Sequence, residues 1–186
     1  MLSSAFVRKR IEAYLKRRVL FLCATNGVTS PIAEALFTHI DSVHFESFSG
    51  CISSQEIHPL SMEIITEIGV DSKHHGPRNL DELKSETFDF LITLDEASVG
   101  HESALHAAET VHWKFENPAN ASTDHQVLQR AFRSIRDQIA QRLRLFAIVH
   151  SRANSESERK QPAEAKSTTA AVIGWRPSTT SRTSVS

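Results

Sequence analysis

Residues 19 to 37 leave little freedom in choosing a fold. An apolar run, Val19-Leu20-Phe21-Leu22, gives way to the polar stretch CATNGVTSP and then to Ile32-Ala33-Glu34-Ala35-Leu36-Phe37. The first run is short and continuous, as a strand buried on both faces requires. The last opens with Ser30-Pro31; proline is pre-set for the first turn of a helix, and serine is a natural cap. A strand running through a short loop into a helix is the repeating unit of a parallel α/β sheet. Ligand sites of such sheets lie at the carboxyl ends of the strands, which is where Cys23 falls.

The rest of the chain continues the alternation. Strands are expected over 18–22, 43–49, 88–94 (FDFLITL) and 110–115 (TVHWKF). A second helix starts near Pro59, carries Leu60, Ile64, Ile65 and Ile68, and stops at Gly69. A short third helix opens at Asn79-Leu80-Asp81-Glu82 with capping-box spacing. The longest covers 124–146, with Leu128, Phe132, Ile135, Ile139, Leu143 and Phe146 on one stripe. Trp113 and Phe115 alternate in a strand and read as core.

At 186 residues the chain is long enough for one domain with a substantial core. A formal net charge of −1 excludes a nucleic-acid binder as the default reading. No apolar stretch approaches the roughly 18 to 20 residues that span a bilayer, so the expected location is cytoplasmic. Residues 1–17 form a basic extension without the apolar core of a secretory signal. An amphipathic surface helix with Val7, Ile11 and Leu15 on one side is one reading of it, a solvated extension the other. The domain is placed at 18–150. Residues 151–186, rich in Ser, Thr and charge, are expected to be a disordered tail, with AVIGWRP around Trp175 as its apolar island. Ten histidines include His74-His75, His101, His106 and His112, but none stands at a recognised ligand spacing, so no metal and no cofactor is expected.

Residues Cys23 to Ser30 have several features of an oxyanion site. A helix N-terminus offers unpaired N–H groups and partial positive charge, and successive loop amides can form a concave nest. Such surroundings lower the pKa of a thiol and make it a nucleophile. Ser30 or Thr29 can offer a hydroxyl to that sulfur.

VLFLCATNGVTSPIAEALF resembles the active-site loop of the low-molecular-weight protein tyrosine phosphatases and of the related thioredoxin-coupled arsenate reductases, whose pattern is Cys, five residues, Arg, Ser or Thr, then usually Pro. HPLSMEIITEIGVDSKHHGPRNLDEL is similar to the arsenate-reductase stretch of second helix, Gly-Ile-Asp turn and following His and basic residue, here His75 and Arg78. HWKFENPANAS and AFRSIRDQIAQRLRLF resemble that branch's Trp-x-Phe-Glu-Asp-Pro and last helix. The resemblance extends from residue 18 to 148. It implies a three-layer, flavodoxin-like domain with four parallel strands and helices on both faces. It also implies a mechanism in which the loop thiolate attacks phosphate or arsenate, the loop Arg grips the oxyanion, and an Asp before Pro protonates the leaving group. Cys23 matches the nucleophile, Asn26 the loop-bracing Asn and Ser30 the thiolate-stabilising hydroxyl, with Ala24, Thr25, Asn26, Gly27, Val28, Thr29 and Ser30 as the anion loop. A phosphate- or arsenate-type oxyanion, and thioredoxin or glutathione, are the implied partners.

Three positions depart from this pattern. Thr29 stands where the Arg belongs, and a short neutral hydroxyl does not replace a two-pronged guanidinium contact. Two charge-assisted hydrogen bonds of about 1.5–3 kcal/mol each amount to roughly 3–6 kcal/mol, or about 100- to 10,000-fold in rate. Asn117 stands where the acid belongs and is no proton donor of that kind; the adjacent Glu116 is the alternative acid. The region after the third strand, ITLDEASVGHESAL, has Asp95 in place of the first resolving cysteine. The remaining cysteine, Cys51, lies just beyond the second strand at the same sheet edge, either passive or paired with Cys23. Three readings stay open: a weak or inactive relative of these enzymes, an active divergent phosphatase or arsenate reductase using Cys23, and a thiol-based redox sensor with a Cys23 pKa well below the ordinary thiol value.

Overall fold

A computed structural model describes residues 16–24, 27–53, 56–70 and 77–160, with side chains described up to residue 151. Five parallel strands form one sheet in the order β3-β2-β1-β4-β5, where β1 is Arg17–Cys23, β2 Phe45–Cys51, β3 Arg78–Asn79, β4 Thr87–Thr93 and β5 His106–His112. The α-helices are α1 (Thr29–Asp41), α2 (Pro59–Glu67), α3 (Leu80–Leu83) and α4 (His125–Lys160).

The central strand explains the layering. Val19 to Leu22 are fully buried, and their side chains alternate between two cores. Val19 and Phe21 join the larger core with Ile32 and Phe37 of α1, Ile64 of α2, and Phe132, Ile139, Leu143 and Phe146 of α4. Leu20 and Leu22 join the smaller core with Leu83 of α3 and Leu105. Both faces of the sheet are therefore covered, as the three-layer reading requires. At roughly 25 cal/mol per Å² of apolar surface, each of these large side chains contributes about 1.5–3 kcal/mol on burial.

The expected helix signals are used, with one exception. The Asp124 carboxylate accepts from the backbone N–H groups of Gln126 at 2.9 Å and Val127 at 3.0 Å, capping α4. Gly69 closes α2 at φ +81, and Asn79 caps α3 by accepting from Asp81 N–H at 3.0 Å. His58, stacked on Phe132, caps α2 by accepting from Leu60 N–H at 3.2 Å, and its burial lowers its pKa. Ser30 is the exception. Helix α1 begins two residues earlier than Pro31, at Thr29, and Val28 at its N-cap makes no side-chain cap.

Other differences have simple causes. The sheet has five strands, not four, because β3 is a two-residue pairing of Arg78 and Asn79 with Gly50 and Cys51, too short to leave a pattern. Strand β5 starts at His106, not 110; it is a largely exposed edge without an apolar alternation, although Trp113 and Phe115 N–H groups continue its pairing to Thr93 and Leu94 carbonyls. Strand β1 takes in Arg17, placed in the extension by the sequence reading. Helix α4 continues past 150 to Lys160, through good helix formers such as Ala, Glu, Arg and Lys. Residues 1–15 and 161–186, with the N-terminal helix reading and the Trp175 segment, lie outside the described residues, as do His74 and His75. Among the described residues no helix is long and apolar enough to cross a membrane.

Candidate active site

Three chain segments meet at the carboxyl end of the sheet: the loop after β1, the turn after β4 and residues 115–120. Strand β1 delivers Cys23, 1% exposed, to the start of the loop. Thr25 and Asn26 lie outside the described residues, so the loop-bracing role expected of Asn26 is not placed. Gly27 has φ +50, and a Cβ there would fall 2.4 Å from the Glu56 carbonyl oxygen, so glycine is required on both counts. Hydroxyls brace the loop from outside. Ser61 Oγ donates to the Val28 carbonyl at 3.1 Å, and Ser53 Oγ donates to the Ala24 carbonyl at 2.7 Å.

The surroundings of Cys23 decide its protonation. Its Sγ lies 2.9 Å from Ser30 Oγ, and Ser30 Oγ donates to the Gly50 carbonyl at 3.1 Å. A serine hydroxyl has one proton, so with that proton on Gly50 the Cys23 contact is S–H donating to Ser30. Ser30 therefore serves Cys23 and Gly50 instead of capping α1. The neighbouring Cys51 thiol, and after it burial, push the Cys23 pKa well above the ordinary cysteine value, while hydrogen bonding with Ser30 acts in the opposite direction. A low-pKa thiolate, the premise of the sensor reading, is thus not the state this arrangement favours.

The two replaced positions come together. A pocket of about 170 Å³ over the loop is lined by Ala24, Val28, Thr29, Asp95, Phe115 and Asn117, among others. Thr29 is 5% exposed at the first position of α1. Asn117 Oδ1 accepts from Ala119 N–H at 3.0 Å and caps the short 3-10 turn Pro118–Asn120. Glu116 and Asn117 also line an adjoining pocket of about 470 Å³ against Ser134, Ile135 and Gln138 of α4.

Asp95 is the residue whose place here sequence reasoning missed. Its carboxylate accepts from Ala24 N–H at 2.9 Å through one oxygen and from Ser98 N–H at 2.8 Å through the other. One amide that could face a bound anion is therefore already taken by a protein carboxylate. An Asp opening a Glu96–Ser98 turn is a recognisable capping signal, and that signal was present in the sequence.

Residues 18–160 match the family description of low molecular weight phosphotyrosine protein phosphatases. The chain belongs to this family. Its relatives include an arsenate reductase of Halalkalibacterium halodurans, 28% identical over 137 residues, covering 71% of this chain and 96% of that protein. An arsenate reductase of Bacillus subtilis is 26% identical over 131 residues, covering 69% and 94%. Among solved structures, the arsenate reductase of Archaeoglobus fulgidus superposes with a TM-score of 0.52 at 26% identity, over 67% of this chain and 98% of that one. The tyrosine phosphatase Wzb of Escherichia coli K30, solved in complex with sulphate, shares the fold with a TM-score of 0.50 at 15% identity, over 68% and 95%.

Proposed function

We propose that this chain is a family member in which efficient phosphate-ester turnover has been lost while the cysteine loop is retained. One observation supports the reading above others: Thr29, Asn117 and the Asp95 carboxylate line the same small pocket over the loop. The position that supplies a cation is neutral, the position that supplies an acid is an amide, and the charge that is present is negative. An incoming oxyanion meets repulsion from Asp95 and loses roughly 3–6 kcal/mol of guanidinium contact. A protonated, buried Cys23 adds a third obstacle, since the thiolate is the nucleophile.

The curated relatives, named as arsenate reductases, favour an arsenate- or phosphate-type oxyanion as the residual ligand class. Thioredoxin or glutathione is the reductant that such chemistry would use, in the cytoplasm. The test is hydrolysis of a small aryl phosphate by wild type and Cys23→Ser. No difference between the two is expected; Cys23-dependent turnover within tenfold of an Arg-containing relative would sink the proposal. Arsenate reduction with a thioredoxin-type dithiol, run alongside, should likewise show no Cys23-dependent rate.

A further inference from the structure

Cys51 has no part in oxyanion chemistry, yet the fold sets it against Cys23. The two are the last residues of β1 and β2, and the parallel register pairs them directly. Directly paired residues of neighbouring strands project from the same face of a sheet. Strand spacing of about 4.7–4.9 Å lies inside the Cα separation of about 4.4–6.8 Å that disulfides require. The Cys51 thiol is close enough to raise the Cys23 pKa, and both residues are 1% exposed. Cys51 Sγ also lies 3.7 Å from the Ala24 carbonyl.

The backbone beyond the pair holds this arrangement. Ile52 N–H donates to the Cys23 carbonyl at 3.2 Å, and Ser53 N–H donates to the Ala24 carbonyl at 3.3 Å. The two strand ends are thus fastened to each other immediately past the cysteines, which holds the pair in register. A buried cysteine is commonly a small apolar filler. Here the chain's two cysteines occupy one register position side by side, which filling a core does not require.

We propose that Cys23 and Cys51 form a redox-active dithiol site that reduces a hydroperoxide and closes as an intramolecular disulfide, withdrawing the loop nucleophile. The Cys23 thiolate attacks the peroxide O–O bond; an S–O bond forms, O–O breaks, and water or an alcohol leaves. Cys51 then attacks the Cys23 sulfur, S–S forms, S–O breaks, and water leaves with the Cys51 proton. Two thiols are oxidised and one peroxide is reduced. A dithiol reverses the closure by exchange. This goes beyond the oxyanion reading and stands whether or not the pocket turns over phosphate.

Hydrogen peroxide is the probe, applied to the reduced full chain and followed by alkylation with N-ethylmaleimide under denaturing conditions. Intact mass should fall by about 2 Da with loss of both alkylation sites, dithiothreitol should restore them, and a peptide map should show Cys23 linked to Cys51. Because Cys23 is held protonated, the rate should rise about tenfold per pH unit between roughly pH 6 and 8. In Cys51→Ser, and in Cys51→Ala should the serine variant not fold, Cys23 should advance to sulfinic acid. At least tenfold less thiol should then be recovered by dithiothreitol. Sulfinic acid at Cys23 of the wild type with Cys51 still alkylable, or disulfide-linked dimers, would overturn the proposal. The wild-type peptide map alone decides between these outcomes, and none depends on aryl phosphate hydrolysis.

Discussion

Two clusters on this sheet treat charge in opposite ways. Near the start of β4, the Arg18 guanidinium lies over the Phe48 and Phe88 rings, donates to the Thr87 carbonyl at 2.7 Å and bonds Glu86. Arg78 lies over Phe48 and donates to Glu86 at 2.7 Å. Each guanidinium there has a carboxylate and an aromatic face. The pocket at the carboxyl end of β1 has a carboxylate, Asp95, and no cation lining it. The first cluster is built for stability, since both guanidinium groups share the Glu86 carboxylate. The second answers its one charge with the backbone amides of Ala24, in the loop, and Ser98, in the turn after β4. The contrast is that guanidinium groups stand where they hold the fold and none lines the pocket over the loop.

The sharpest way to break this contrast is to supply the pocket with what it lacks. Thr29→Arg combined with Asn117→Asp should raise kcat/KM for an aryl phosphate by about 100- to 10,000-fold over wild type. Steady-state kinetics would read it, with Cys23→Ser in the same background abolishing the gain. Next in size is Gly27→Ala, which places a Cβ on the Glu56 carbonyl at positive φ and should destabilise the fold by about 2–3 kcal/mol in urea unfolding.

Glu86→Gln probes the other cluster. Arg78, and then Arg18, hold the Glu86 pKa down from 4.5 to about 2. A depressed carboxylate pKa contributes stability that is present above pH 4.5 and is lost as pH falls toward 2. A quarter of the side chain meets solvent, so the effect is about 1 kcal/mol after screening. Acid titration of unfolding free energy should therefore show a steeper decline in wild type than in Glu86→Gln across that window. The smallest effect is expected of Asp95→Asn. It should cost about 0.5–1 kcal/mol of stability through a weakened cap, while improving phosphate affinity of Thr29→Arg by a few-fold.

Much of this was legible from the chain because burial writes strong patterns. Val19 to Leu22 read as a buried strand, and Gly69 and Asn79 mark helix ends by their own chemistry. Cys23, Thr29 and Asn117 were located by motif, and the fold brings the last two to one pocket. What escaped was set by tertiary context. Strand β3 is two residues long, β5 is an exposed edge, and Ser30 resembles a helix cap in sequence but turns its hydroxyl to Cys23 and Gly50. Asp95 was legible as a missing cysteine but not as an acceptor for Ala24, which depends on how β4 ends beside β1. The Cys23–Cys51 register is a property of strand pairing that linear spacing does not encode.

In the proposed function, Thr29 is the largest single cause of weak oxyanion binding by the loop. Calorimetric titration of inorganic phosphate into reduced wild type and Thr29→Arg tests this directly. The prediction is saturable binding by Thr29→Arg at least about 100-fold tighter than any binding by wild type. Equal affinity in the two proteins would contradict it.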